Sequence, residues 1–233
     1  MYVRFLKRAI DILISLTALV VLLPLLLVLT LTGTVAMKGN PFFVQPRPGK
    51  KDRNGKEKIF RLIKFRTMSS ERDKDGSLLP DEKRLGKYGK ALRSTSLDEL
   101  PELINILKGD ISLVGPRPFL VRDCVFMTRQ QRRRHDVRPG LTGLAQVNGR
   151  NNITWEQKID FDLRYIDDGI TFARDMKILL QTVGKVVQRS DVVREGTVSD
   201  VDFGDWLLME GKVDTDTYNL RQEQAKKWLE EQR

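Results

Sequence analysis

The most restrictive feature of this sequence is an uncharged apolar run that extends from Ile12 to Met37. Its 26 residues exceed the roughly 20 that a helix needs to cross the hydrocarbon core of a bilayer. A buried core helix of a soluble protein rarely reaches this length. The run is also too long for a secretory signal peptide, whose apolar region has about 7 to 15 residues. We therefore expect this segment to enter a membrane.

Pro24 divides the apolar run into two halves of similar length. Proline removes a backbone donor and clashes with the preceding turn, so it kinks or breaks a helix. Each half would be about 18 Å long, which is too short to cross a bilayer. Basic residues flank both ends, which favours a cytoplasmic location for both. The pattern favours a re-entrant helix-hairpin over residues 1–40, with Pro24 at the break, and a kinked span remains the alternative.

The rest of the composition limits the chemistry. The net charge of +10 predicts a surface that attracts phosphates, acidic lipids or nucleic acid. With Cys124 as the single cysteine, an intramolecular disulfide framework is excluded, and with His135 as the single histidine, a histidine-based metal site or catalytic triad is disfavoured. Any catalysis should therefore use carboxylates, arginines and lysines.

After the anchor, the sequence predicts one compact domain with both strands and helices. Asn54-Gly55 indicates a tight turn between two apolar runs, and residues 69–90 have the composition of a surface excursion, either a lid or an inert connection. Helices are expected at Trp155–Asp167 and at Arg174–Gln188, the second either packed on the core or lying on the bilayer surface. Arg132–Arg134 are expected on a solvated or lipid-facing surface.

These elements predict a mostly helical α/β fold, with a re-entrant membrane anchor, a compact cytosolic catalytic domain and surface amphipathic helices. The predicted boundaries are residues 1–40 for the anchor, 41–195 for the catalytic domain and 196–233 for a C-terminal extension. Beyond Gly196 the net charge is −4, so the basic surface belongs to the first two parts. The extension is expected to be an appendage or a partner-binding element.

Two adjacent carboxylates, Asp98 and Glu99, are the strongest candidates for catalysis. One interpretation is structural, because Ser96 and Glu99 match a helix capping box and acidic side chains are favoured in a first turn. The apolar stripe Leu100, Leu103, Ile104 and Leu107 then places Asp98 opposite the stripe, facing solvent or a cleft, with Glu102 and Asn105. The other interpretation is catalytic, since an ionised aspartate can attack phosphorus to form an acyl phosphate. Both remain open at this point.

Arg117 lies between two prolines that restrict its backbone and present a guanidinium fork suited to phosphate. Four motifs occur in order, "KFRTM", "TSLDELPELINILKGDISLVGPRP", "RPGLTGLAQVNGR" and "WEQKIDFDLRYI". Together with the proline-broken apolar hairpin, they resemble the monotopic phosphoglycosyl transferases, a family of bacterial sugar transferases. The resemblance covers about residues 5–190. Leu23 departs from the family pattern, which often has serine before the hairpin proline.

This resemblance implies transfer of a sugar-1-phosphate from a UDP-sugar to polyprenyl (undecaprenyl) phosphate, with release of UMP, at the start of exopolysaccharide or capsule assembly. It implies that Asp98 is the nucleophile that becomes phosphoglycosylated and that Glu99 helps to hold Mg²⁺, with both carboxylates as metal ligands. It implies a monotopic location on the cytoplasmic face of the bacterial inner membrane. Further candidates for binding phosphate or nucleotide lie in the matching segments: Lys64, Arg66, Arg117, Arg138, Arg150, Asp162 and Tyr165.

The implied partners are the UDP-sugar, the polyprenyl phosphate, membrane lipid and downstream glycosyltransferases, and a homodimer is an open possibility. A membrane-anchored adaptor that binds acidic lipid is the alternative from a different class. It would explain the charge and the anchor but not the ordered motifs. Nucleic acid is not an expected partner, because aromatic residues are only 7% of the chain and no nucleic-acid-binding motif is present.

Overall fold

The N-terminal apolar run forms two helices joined at a sharp bend. The computed structural model describes residues 1–149, 152–188 and 201–232. A π-helical turn (Tyr2–Leu6) continues into α1 (Lys7–Val21), and α2 (Leu23–Ala36) follows with Pro24 in its first turn. The axes are bent by 65° at the break. In the described ranges no single helix has the length and composition of a membrane span, whereas this bent pair meets both criteria together.

Both helices of the bent pair are attached to the rest of the protein. At the beginning, the Tyr2 hydroxyl donates to Asp175 at 2.6 Å, and the Arg8 guanidinium donates to the Ile106 carbonyl at 2.5 Å. In the second helix, the Leu29 carbonyl accepts a hydrogen bond from the Tyr88 hydroxyl at 3.0 Å. Both helices of the apolar pair therefore contact the globular body.

A long antiparallel hairpin follows the apolar pair. Strand β1 (Phe42–Lys51) pairs with β2 (Glu57–Phe65), and the connection contains Asn54-Gly55, as predicted. Gly55 has a φ of 78°, a conformation that favours glycine. The ladder starts at the pair Phe42 and Phe65. Phe65 and Phe42 stack on each other and contact the α2 side chains, so the hairpin is joined to the apolar pair.

Residues 69–90 carry more regular structure than the sequence indicates. They contain α3 (Asp81–Arg84) and the start of α4 (Lys87–Thr95). Gly89 allows α4 to contact the segment after β2, because a Cβ at this position would lie 1.9 Å from the Thr67 carbonyl oxygen. A short 3₁₀ turn (Leu97–Glu99) then leads into α5 (Glu102–Lys108).

The buried face of α5 differs from the predicted one. Asn105 and Glu102 are buried, whereas Ile104 is 40% exposed. The cause is the edge of β2: the Asn105 amide donates to the Arg61 carbonyl at 2.7 Å, and its oxygen accepts from the Ile63 amide at 3.0 Å. Because buried backbone groups need partners, the helix turns a polar side chain towards the strand. The expected place of Ile104 in the apolar stripe, and of Glu102 and Asn105 opposite it, was wrong.

The central core surrounds a parallel pair of short strands, β3 (Ser112–Val114) and β4 (Gly140–Thr142). Short helices α6 (Val121–Cys124) and α7 (Leu144–Val147) and a 3₁₀ segment (Gln131–Asp136) connect them to the longer elements. Two long helices follow. Helix α8 (Trp155–Asp167) has the predicted bounds and a Thr154 capping box, and α9 (Phe172–Gln188) begins two residues before the predicted start.

Helix α9 has one buried and one exposed apolar side. Ile178 is 3% exposed and packs in the core, whereas Leu180 and Val183 are 67% and 62% exposed. One side of the helix therefore packs on the protein, and the opposite side exposes apolar residues.

The described part of the C-terminal extension packs on the preceding domain. It forms α10 (Phe203–Met209) and α11 (Thr215–Glu230). Phe203 is buried with Phe119, Cys124 and Ile159 in a second hydrophobic cluster. Cys124 is thus a small buried core residue. The described part of the extension is a packed element and not a detached tail.

Candidate active site

One cavity of about 1770 Å³ contains most of the predicted site residues. It is bounded by the β1–β2 hairpin, the Leu97–Glu99 turn, the segment that follows β3, and α8. The candidates that line it come from three of the four quoted motifs: Lys64, Arg66, Asp98, Glu99, Arg117 and Asp162. The structure therefore brings together side chains that are distant in sequence.

Asp98 and Glu99 lie on the turn between α4 and α5 and not on a capped helix. Ser96 ends α4 in the left-handed conformation, with a φ of 55°, and its side chain makes no cap hydrogen bond. Pro101 directly precedes the first residue of α5. The expected capping box is therefore wrong, because the serine closes one helix and does not open the next. Its absence removes helix capping as the explanation for the two carboxylates.

Glu99 is held by two cations. Its Oε1 accepts from Lys64 Nζ at 2.9 Å and from the Arg117 guanidinium. The Glu99 side chain is only 14% exposed, so these bonds lie in a region of reduced solvent screening. This arrangement fixes the orientation of Glu99, Lys64 and Arg117 relative to one another.

Asp98 is in a different situation although it is the adjacent residue. Burial raises the pKa of Asp98, the Glu99 carboxylate raises it further, and the cations Lys64, Arg117 and Arg93 oppose the shift. Within the described residues, no group donates a hydrogen bond to the Asp98 carboxylate. Asp98 is thus a partly buried carboxylate in the cavity whose oxygens are not committed to the protein.

Glu102 is a third carboxylate that the sequence did not reveal as part of the site. Its side chain is 1% exposed, and its Oε1 lies 3.0 Å from Lys64 Nζ. Burial raises the pKa of Glu102, and Lys64 opposes that shift. Lys64 therefore joins Glu99 to Glu102 beneath the cavity. Its i, i+3 spacing from Glu99 was a sequence signal that the two carboxylates could lie close together. The helical wheel, however, placed Glu102 on the face opposite the buried stripe.

Arg117 and Arg66 supply positive charge inside the cavity. The Arg117 side chain is 35% exposed, and its pKa is raised chiefly by the Glu99 carboxylate, so it is always charged. Arg66 lines the same cavity, and within the described residues its side chain has no hydrogen bond or ion pair. The two guanidinium groups suit a phosphate-bearing ligand.

Asp162 is at the cavity wall but is paired with Arg134. The Arg134 and Asp162 side chains are 1% and 2% exposed, and Arg134 Nε donates to Asp162 at 3.0 Å. Arg134 also donates to the Arg117 carbonyl and stacks 3.6 Å from the centre of the Phe119 ring. The expected solvated surface of Arg132–Arg134 is therefore wrong at Arg134, which the partner on α8 draws into the core.

Two predicted phosphate ligands lie outside this cavity. Arg138 Nε donates to the Gly109 carbonyl at 3.0 Å, and the buried Tyr165 hydroxyl donates to Asp175 at 2.7 Å. Both line a separate small cavity of about 50 Å³ beside α1. Both side chains make packing contacts near β3 and β4, and we do not include them in the proposed site. Arg150 lies outside the described residues.

The carboxylates in the cavity are compatible with Mg²⁺ only if substrate phosphates and waters complete its coordination. Among the residues that the structure describes, no group of three His, Cys, Asp or Glu side chains is placed to hold a metal ion. Mg²⁺ nevertheless often uses one or two carboxylates, several waters and substrate phosphates. The uncommitted oxygens of Asp98, beside Glu99, fit that requirement.

Comparison with known proteins identifies the family of this chain. The family model described as bacterial sugar transferase matches residues 2–189. The sugar transferase EpsL of Bacillus subtilis is 50% identical over 186 residues, which cover 78% of this chain and 87% of EpsL.

Two further relatives carry specific names. The UDP-glucose:undecaprenyl-phosphate glucose-1-phosphate transferase of Klebsiella pneumoniae is 39% identical over 77% of this chain and 39% of its own length. The undecaprenyl-phosphate galactose phosphotransferase of Salmonella typhimurium is 37% identical over 81% and 41%. The chain thus spans about two fifths of these longer relatives. The family identification from the motifs is confirmed: this chain belongs to the bacterial sugar transferase family.

Proposed function

We propose that this protein transfers a sugar-1-phosphate from a UDP-sugar to polyprenyl phosphate through a covalent intermediate on Asp98. The observation that carries the proposal is the contrast between two adjacent carboxylates in one cavity. Glu99 is bound by Lys64 and Arg117, whereas Asp98 has no hydrogen-bond donor among the described residues. The names of the Klebsiella and Salmonella relatives support the donor and acceptor classes.

In the first step, an oxygen of ionised Asp98 attacks the phosphorus that bears the sugar. The bond from this phosphorus to the bridging oxygen breaks, and UMP leaves with the electron pair. An oxygen of the polyprenyl phosphate then attacks the same phosphorus and releases the Asp98 carboxylate. Lys64, Arg66 and Arg117 stand around the cavity as cations that stabilise the phosphoryl oxygens during both displacements.

Mg²⁺ is part of this proposal, with Asp98 and Glu99 as the residues that would hold it together with the substrate. When bound, it would neutralise diphosphate charge and favour the ionised form of Asp98. Lys64 would retain its contact with Glu102 and so preserve the position of the ammonium group beneath the cavity.

We further propose that the bent apolar pair is a re-entrant anchor in the inner membrane, with the cavity on the cytoplasmic face. Helices of 15 and 14 residues are each about 21 to 23 Å long, shorter than the roughly 30 Å hydrocarbon core. The attachment of Arg8 to Ile106 and of Leu29 to Tyr88 supports a path that returns to the side from which it entered. The product would be the lipid-linked sugar on which downstream glycosyltransferases build a surface polysaccharide.

Trapping of the intermediate tests the covalent step. The detergent-purified protein is incubated with Mg²⁺ and UDP-sugars labelled at the β-phosphate, without lipid, and is then acid-quenched and digested. The proposal predicts label on the peptide that contains Asp98, loss of this label on addition of polyprenyl phosphate, and no label in Asp98→Asn. Lipid-dependent UMP release without any labelled peptide would indicate direct transfer. A protein that binds lipid but neither labels nor releases UMP would favour the adaptor.

A further inference from the structure

The start of α10 and the two residues directly before it form part of the wall of the cavity that contains Asp98. Val201, Asp202 and Asp205 line this cavity, although the family match ends at residue 189. We call the cavity-lining set Arg122, Trp155, Val201, Asp202 and Asp205 the C-terminal wall. Trp155 of this wall packs in the hydrophobic cluster that contains Phe203, whereas Phe65, on the hairpin side of the cavity, packs in the cluster that contains Leu29 of α2.

Several contacts fix this wall in place. The Trp155 indole donates to the Val201 carbonyl at 3.1 Å, and the Gly204 amide donates to Asp123 at 3.2 Å. Gly204 also approaches Phe126 so closely that a Cβ would lie 2.6 Å from the ring. These bonds connect α10 to α6 and α8. The wall is therefore a built surface and not a loosely attached segment.

Charged and polar groups of the wall face the cavity. The Arg122 side chain, 45% exposed, pairs with Asp202 and lies 3.5 Å from Asp205. The Tyr218 hydroxyl from α11 also donates to Asp205, which orients that carboxylate.

Two polar side chains beside the wall have buried atoms that no described residue satisfies. Asp162 lies on α8 with Trp155 and lines the cavity, and its Oδ1 is buried without a hydrogen-bond partner among the described residues. Gln146 on α7 also lines the cavity, and both polar atoms of its amide are buried with no partner in the described part of the chain. Buried polar groups are normally hydrogen-bonded, so unsatisfied groups beside a large cavity indicate a polar ligand.

We propose that the C-terminal wall binds the hydroxyl-rich part of the nucleotide-sugar donor, and that Asp202 and Asp205 set donor affinity. This inference rests on the proposed function. Carboxylate oxygens accept strong hydrogen bonds from vicinal hydroxyls, which both the ribose and the sugar offer. The acceptor is a membrane lipid, and we assign it to the hairpin side, where α2 packs. The wall should therefore affect the donor and not the acceptor.

The test compares steady-state UMP release by the full chain and by Asp202→Asn, Asp205→Asn and the double variant. Glu156→Gln is the matched control, because Glu156 pairs with Lys212 and so links α8 to the C-terminal segment outside the cavity. We expect the KM for the UDP-sugar to rise about tenfold in the double variant, which corresponds to about 1.4 kcal/mol. In the double variant, kcat, the KM for polyprenyl phosphate and the unfolding midpoint should stay near the wild-type values. In Glu156→Gln, these three parameters and the KM for the UDP-sugar should all stay near the wild-type values.

Inhibition by UDP separates the two sources of hydroxyl groups. If the wall binds the ribose, UDP inhibition weakens in parallel with donor binding, and if it binds the sugar, UDP inhibition is unchanged while donor KM rises. An unchanged donor KM in active, folded variants would overturn the inference and leave the proposed function intact. Equal changes in both KM values, with a lower unfolding midpoint, would also overturn it in favour of a structural role. Absence of UMP release from the unaltered protein would contradict both.

Discussion

Replacement of Arg134 by methionine tests whether the buried pair with Asp162 stabilises the wall of the cavity. The two side chains are 1% and 2% exposed, so Arg134→Met leaves a buried carboxylate without its cation. Breaking such a pair on one side costs about 3 to 5 kcal/mol. For a chain of this size the unfolding midpoint changes by about 2 to 4 °C per kcal/mol, which predicts a decrease of roughly 6 to 20 °C.

The pH dependence of this variant gives a second readout. Burial raises the pKa of Asp162, and Arg134 opposes that shift in the unaltered protein. Without Arg134 the folded state binds a proton more readily than the unfolded state. The stability of Arg134→Met should therefore fall as pH rises above the unfolded pKa of about 4, by at most about 1.4 kcal/mol per pH unit, until the raised folded pKa is passed.

Thermal unfolding in detergent, followed by circular dichroism between pH 5 and pH 8, measures both effects. Arg133→Met is the matched control, since Arg133 pairs with Asp167 at an exposed site and should change stability by less than about 1 kcal/mol. The double variant Arg134→Met/Asp162→Leu removes both charges and should recover most of the loss. Equal shifts of the unfolding midpoint in Arg134→Met and Arg133→Met would contradict a stabilising role for the buried pair.

Three further predictions concern residues outside the pair. Burial lowers the pKa of His135 to about 4, so the protein should lose stability as pH falls from about 6.5 towards 4. In His135→Gln the thermal unfolding midpoint should change less with pH over this range than in the unaltered protein. Asn105→Leu should lower stability by about 1 to 3 kcal/mol, because it leaves the Arg61 and Ile63 backbone groups buried and unpaired; equal stability in urea unfolding would contradict this. Gly89→Ala should lower the midpoint by overpacking against Thr67, whereas Lys87→Ala at the start of α4 should not.

Local signals in the sequence predicted the elements that depend on local chemistry. The bend at Pro24, the turn at Asn54-Gly55 and the capped helix Trp155–Asp167 all follow from residues that are close in sequence. The grouping of Asp98, Glu99 and Arg117 came instead from the ordered motifs. The sequence separation of Glu99 and Arg117 alone does not predict the ion pair between them.

The errors arose where a distant partner determined the environment of a side chain. Asn105 is buried because it satisfies backbone groups of β2, which a helical wheel does not contain. Arg134 is buried because α8 supplies Asp162, 28 residues later. Tyr165 lies in a matching motif, yet its hydroxyl binds Asp175 away from the cavity. Motif membership located the region of the site, but tertiary pairing decided which side chains reach the cavity.

The most direct test of the central claim is UMP release by the detergent-purified protein. The assay contains Mg²⁺, undecaprenyl phosphate and a panel of UDP-sugars, with Asp98→Asn in parallel. We expect lipid-dependent release of UMP from at least one sugar, with a loss of at least about a thousandfold in the variant, as for removal of a catalytic nucleophile. Undiminished release by a folded Asp98→Asn protein would contradict the assignment of Asp98 as the nucleophile.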